Sequence, residues 1–341
     1  MNERIRGVLA PVVTPFKPDL SPDPERLIGH CKWLLSQKCG LAVFGTNSEA
    51  NSMSAEERMT LLDALVAAGV DPARMMPGTG CCSISETVEL TAHAVKHGCA
   101  GVLMLPPFYY KNVSEEGLYR YFSEVVQRVG DPRLRIYLYH IPPVAVVGIT
   151  QKLVERLLQA YPTAIAGMKD SSGDWNNTKT FLDAFAETAR APRAFDVFVG
   201  SESFLLANMR NGGVGTISAT ANVNPAAIHE LYADYNRQNC SGVCVKRRAN
   251  RKALGTSAST TDLTTLQARL NVVREVFARK SWPSMIAALK QAIAIYGNDP
   301  EWARVRPPLV ELTTEQARKL AAELEKIEFS IKLVERCRRS E

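Results

Sequence analysis

A lysine at the end of an apolar run has the most chemistry to offer in this chain. Ala164-Ile165-Ala166-Gly167-Met168 has the make-up of a buried strand, Lys169 closes it, and Asp170-Ser171-Ser172-Gly173-Asp174 follows with turn and helix-cap residues. Burial disfavours the charged form of an ammonium, and a free amine is a nucleophile towards carbonyls. Most lysines just past a strand simply face water. Lys169 is set apart by what stands at the other strand ends: Thr46-Asn47, Tyr109-Tyr110, Tyr139, Gly200-Ser201 and Gly215-Thr216-Ile217. Hydroxyls and one amine beside small residues suit a pocket that binds a small oxyacid and moves protons.

Those residues meet only if the fold gathers strand ends on one face. Strand-like and helix-like segments do alternate. Strands are predicted at 5–13, 41–44, 74–78, 101–105, 134–139, 164–169, 195–199 and 213–217. Helices are predicted between them, with Asp23, Ser83, Ser114 and Thr150 as N-caps and Ser54…Glu57 as a capping box. Eight strand–helix pairs imply parallel pairing and right-handed crossovers, an α/β architecture of the (β/α)8 TIM-barrel type. The expected organisation is a catalytic barrel over 1–237, a basic insertion over 238–262 without periodicity, and a C-terminal appendage over 263–341 with three helices.

Composition narrows the function classes. The chain has 341 residues, 46% hydrophobic and 22% charged, which are globular values. It has no apolar run of about 18 residues, and its first residues lack a signal-type apolar core, so a cytoplasmic protein without a membrane span is expected. The eight cysteines follow no disulfide framework: Cys81 and Cys82 are adjacent, and Cys240 and Cys244 lack a second pair for zinc. Reduced thiols are expected, with no metal and no cofactor. The net charge is +6, with Lys246, Arg247, Arg248, Arg251 and Lys252 in the insertion and Lys332, Arg336, Arg338 and Arg339 in the tail. No aromatic interleaving accompanies them, so they are taken as solvated charge rather than a nucleic-acid site. GxGxxG and GxxxxGK[ST] are both missing.

Three short stretches stand in order at strand ends: Gly45-Thr46-Asn47-Ser48-Glu49, Tyr139-His140-Ile141-Pro142 and Gly167-Met168-Lys169-Asp170. They resemble the G-[ST]-x-G-E, Y-x-x-P and G-x-K-[DE] motifs of the dihydrodipicolinate synthase and N-acetylneuraminate lyase family of class I pyruvate aldolases. The resemblance implies that Lys169 forms a Schiff base with a 2-oxo acid and that Tyr139 relays protons. It implies that Thr46 bridges Tyr139 to Tyr110 of a neighbouring copy, so the protein would be a homo-oligomer, dimer or tetramer. Thr46 and Asn47 would hold the substrate carboxylate, and the Ile217 carbonyl would lie close by; His140 is either a substrate donor or a packed loop histidine. Glu49 and Asp170 are expected to be structural. Against the family pattern, Ser48 stands in place of glycine, His140 in place of asparagine, and Val144 where the lysine-pathway synthase has an arginine for a distal carboxylate. Asn47 and the Gly167–Asp174 stretch resemble the 4-hydroxy-2-oxoglutarate and 2-keto-3-deoxy sugar acid aldolase branch more closely. The expectation is therefore a lyase of a pyruvate-derived 2-oxo acid. A 4-hydroxy-tetrahydrodipicolinate synthase, a dehydratase, or a barrel that binds 2-oxo acids without turnover are the alternatives.

Overall fold

The computed structural model describes residues 4–185, 195–239 and 262–331. Its strands are short and apolar, as a parallel sheet covered on both faces requires. They are β1 (Gly7–Ala10), β2 (Gly40–Leu41), β3 (Val102–Met104), β4 (Ile136–His140), β5 (Ile165–Asp170), β6 (Asp196–Val199) and β7 (Gly215–Ile217). All neighbours run parallel, in the order β2-β1-β7-β6-β5-β4-β3.

The predicted strand over 74–78 is where expectation and structure part. A 3-10 turn, Pro72–Arg74, leads into two single bridges, Leu41 to Met75 and Gly78 to Leu103. Pro77 has no N–H for a ladder, which breaks the regular pattern. The segment still sits between β2 and β3. Met76 and Gly78 donate to Leu41 and Val43 on one side, and Leu103 donates to Pro77 while Thr79 donates to Leu103 on the other. Seven regular strands and one irregular one thus close the ring of a barrel.

The helices cover that ring: α1 (Pro24–Ser36), α2 (Ala55–Ala67), α3 (Ile84–Lys96), α4 (Glu115–Val129), α5 (Pro142–Ala145), α6 (Gln151–Ala160), α7 (Trp175–Phe185), α8 (Leu205–Arg210) and α9 (Pro225–Asn239). Asp23, Ser83, Ser114 and Thr150 each accept a first-turn N–H, and Ser54 and Glu57 make the reciprocal capping box. The sequence reading missed α5, which the Pro142-Pro143 pair starts by presetting φ. Among the described residues three further α-helices follow: α10 (Leu263–Phe277), α11 (Met285–Gly297) and α12 (Thr314–Lys326). The basic residues 246–252 and those of the tail from 332 onward lie outside the described residues. Among the described residues no helix is long and apolar enough to cross a membrane, and Cys31, Cys39, Cys81, Cys82 and Cys99 are free thiols.

One hydrophobic cluster fills the barrel, with Leu9, Met76, Leu103, Tyr137, Tyr139, Phe198 and Ile217 from around the ring. A larger one lies between strands and helices. Gly167 is needed where β5 and β6 come close: a Cβ there would meet the Asp196 carbonyl oxygen at 2.2 Å. Buried in the outer cluster, His30 of α1 pairs with Asn222 and stacks on Trp33. Burial pushes its imidazole down to about 4. The unfolded chain takes up that proton near pH 6.5 and the folded chain only near 4, so stability is present above pH 6.5 and is lost as pH falls through this window. The expected loss is about 3 kcal/mol. Urea unfolding at pH 7 and pH 4.5 measures it; His30→Gln should flatten the dependence, and an unchanged slope in that variant would contradict the assignment.

Candidate active site

β4 and β5 pair with Tyr139 opposite Lys169 and His140 opposite Asp170. Residues in register on neighbouring strands share a face, and successive residues alternate. Lys169 and Tyr139 therefore meet. Lys169 Nζ donates to Tyr139 Oη at 3.2 Å and stands 4.3 Å from the ring centroid. Each residue is 3% exposed. Thr46 Oγ1 lies 3.3 Å from the same phenol oxygen, so amine, phenol and hydroxyl form a continuous chain.

The loop that brings Thr46 in is tightly held. Phe44 (φ 59°) and Glu49 (φ 57°) are left-handed at its two ends, conformations that cost of order 1–3 kcal/mol each outside glycine. Between them Thr46–Ser48 form a 3-10 turn. Ser48 does not adopt a left-handed φ. Its hydroxyl donates to the Val12 carbonyl and accepts from Gly45 N–H, and its own carbonyl accepts from Thr14 Oγ1 at 2.8 Å. Serine therefore suits the place where the family pattern has glycine. Glu49 turns away from the amine. It accepts from Lys290 Nζ of α11 at 2.7 Å and from Arg306 N–H at 2.8 Å, and Lys290 also donates to the Thr14 carbonyl. Both side chains of this ion pair are fully buried.

A cavity of about 190 Å³ opens beside the chain of groups, lined by Lys169, Tyr139, Asn47, Ser201, Ile217 and Arg274 among others. Asp170 lies at its edge with its carboxylate engaged by Thr178, Asn177 and the Ser172 N–H, which is capping work. A larger hollow of about 530 Å³, lined by Gly7, Arg74 and others, holds none of the predicted site residues.

His140 is placed differently. Alternation along β4 turns it from Tyr139's face, and it does not line the cavity. Its Nδ1 accepts the Ile149 N–H at 2.9 Å, and burial lowers its pKa, so the imidazole is neutral with its proton on Nε2. Tyr110 is 74% exposed, edge-to-face with Tyr109 at 5.3 Å, and does not meet Thr46 within this chain. Arg274 was missed by the sequence reading. It sits on α10, 105 residues after Lys169, with no motif around it. Glu202, which anchors it, was visible only as the residue after Gly200-Ser201. Among the described residues one group could hold a metal, Asp63 of α2 with His93 of α3 and His97 at its C-cap, and it is not in the cavity.

A model of the dihydrodipicolinate synthetase family matches residues 4–327. An uncharacterized DapA-like lyase from Chloroflexus aurantiacus is 30% identical over 324 residues, 94% of this chain and 97% of that one. The 4-hydroxy-tetrahydrodipicolinate synthase of Thermus thermophilus is 36% identical over 226 residues, 65% of this chain and 71% of that one. Among solved structures, the dihydrodipicolinate synthase of Agrobacterium tumefaciens aligns with a TM-score of 0.77 at 28% identity, covering 95% of this chain and 99% of that one. A prophage protein of the dihydrodipicolinic acid synthase family from E. coli K12, solved with pyruvate, shares the fold with a TM-score of 0.80 at 23% identity, covering 95% and 99%. The chain belongs to the dihydrodipicolinate synthetase family, and with it to the class I lyases and aldolases built on the TIM barrel.

Proposed function

We propose that the protein cleaves a pyruvate-derived 2-oxo acid, of the 4-hydroxy-2-oxoglutarate or 2-keto-3-deoxy sugar acid type, through a Schiff base on Lys169. The observation that carries this reading is the buried 3.2 Å pair of Lys169 Nζ and Tyr139 Oη beside a cavity of small-molecule size. Lys169 Nζ adds to the ketone carbon C2 and water leaves, giving an iminium. Tyr139, relayed by Thr46, takes the proton from the C4 hydroxyl. The C3–C4 bond then breaks, its electron pair moves into the iminium to form an enamine, and an aldehyde departs. Protonation at C3 and hydrolysis release pyruvate and restore the amine. Thr46 and Asn47 hold the C1 carboxylate by N–H and O–H donors; their amides open a 3-10 turn and so have no partner within it. Tyr110 completes the relay only when supplied by a second copy, which makes the active form a homo-oligomer. Its habitat in this reading is the cytoplasm. No cofactor, nucleic acid or membrane takes part.

A second reading, condensation of pyruvate with aspartate semialdehyde, is favoured by the names of several relatives. Val144 speaks against it: the residue is 61% exposed on α5 and offers no guanidinium. A dehydratase would use the same amine. The test is pyruvate release from a panel of 4-hydroxy-2-oxo acids, with aspartate semialdehyde condensation run alongside. Robust condensation without cleavage would overturn the choice. Tyr139→Phe should lower kcat by about 10²–10⁴-fold while Schiff-base formation persists; undiminished turnover in that variant would remove Tyr139 from the mechanism.

A further inference from the structure

Resting on that reading of Lys169, we infer that Arg274 selects the substrate: the far end of the 2-oxo acid carries a carboxylate, and this guanidinium receives it. Arg274 comes from α10, in the helices after the barrel, and among the described residues is the one guanidinium lining the cavity that holds Lys169 and Tyr139. Its side chain is 22% exposed. Its Nη1 donates to Glu202 Oε2 at 3.0 Å and to Ser218 Oγ at 3.3 Å. Among the described residues its Nε and Nη2 make no hydrogen bond.

The support behind it is unusually complete. Glu202 is 1% exposed, and its two carboxylate oxygens already accept from the Ser218 and Thr220 hydroxyls. Gln267, about two turns earlier on α10, donates to the Glu202 carbonyl at 2.9 Å and accepts the Leu206 N–H at 3.1 Å. Glu202 is thus saturated by its own neighbours and fixes the guanidinium by one nitrogen. The remaining fork of donors is the kind that grips a carboxylate bidentately. A substrate held at C2 by Lys169 and at its C1 carboxylate by Thr46-Asn47 has only its other end left to meet this group. Val144 leaves the expected arginine position empty of charge, and Arg274 provides one from a different element.

The experiment compares cleavage of 4-hydroxy-2-oxoglutarate with that of 4-hydroxy-2-oxopentanoate, which has methyl in place of the terminal carboxylate. Wild type should favour the dicarboxylate by about 10²-fold or more in kcat/KM, the scale of a lost charged hydrogen-bond pair. Arg274→Met should erase that preference by raising KM for the dicarboxylate, with little change for the methyl analogue. Arg274→Lys, which keeps charge but loses the fork, should fall between them. Borohydride trapping of pyruvate on each variant separates the two levels of the proposal. Trapping retained with equal losses on both substrates means Arg274 only braces Glu202, and the inference fails alone. A wild type that favours neither substrate, or the methyl analogue, also overturns it. No trapping in wild type sinks the Schiff-base reading and this inference with it.

Discussion

Lys169→Ala is expected to lower pyruvate release by on the order of 10⁴-fold or more, the scale on which removal of a covalent nucleophile acts. Lys169→Arg is expected to do the same. Arginine would keep a positive charge beside the Tyr139 ring and hydroxyl, but a guanidinium does not form the iminium. The pair of variants therefore separates covalent from electrostatic roles. If Lys169 served only to hold a substrate carboxylate by charge, the arginine variant would retain much of the activity. Circular dichroism on both variants guards against loss of fold, and none is expected, because truncating a lysine at 3% exposure leaves a small cavity and no unpaired charge.

Lys290→Met is expected to cost about 3–5 kcal/mol of stability, the penalty of leaving a buried partner charge unpaired. Glu49 and Lys290 are 241 residues apart in sequence and both fully buried. Burial draws the Lys290 ammonium down to about 8, although Glu49 acts in the opposite sense. Glu49 also pegs a strained left-handed residue at the end of the loop that carries Thr46 and Asn47. Losing Lys290 should therefore lower kcat/KM as well as the urea midpoint. Replacing both, as Glu49→Leu with Lys290→Met, should recover part of the stability, since an apolar pair has no charge to desolvate. A single Lys290→Met variant as stable as wild type would show that the pair contributes nothing, and that the loop is held by the Ser48 and Thr14 hydrogen bonds alone.

Much of the frame was legible because each element announces itself locally. Asp23, Ser54, Ser83, Ser114 and Thr150 mark helix starts with short polar side chains that accept first-turn N–H groups, and all five do so. Strand-end placement of Lys169 and Tyr139 was legible from the apolar runs before them, and parallel pairing then put them in register. The segment 74–78 lost its regular strand to Pro77, a cost that was present in the sequence but outvoted by the apolar run. His140 is by type a candidate substrate donor or a packed histidine, and it directly follows Tyr139 in a strand, where alternation sends it to the other face. Arg274 and Lys290 were not legible. Each lies on a helix with no motif around it, and only tertiary packing brings one to the cavity and the other to Glu49. In the proposed reading Tyr110 reaches Thr46 only from a second copy of the chain, which no local pattern encodes.

The most direct measurement is mass spectrometry of the wild-type protein after incubation with pyruvate and sodium borohydride. The expected result is a single reduced pyruvyl adduct, mapped by proteolysis to the peptide carrying Lys169 and missing from Lys169→Arg. An unmodified protein, or an adduct on any other lysine, would contradict the assignment of that buried amine as the group that captures the ketone.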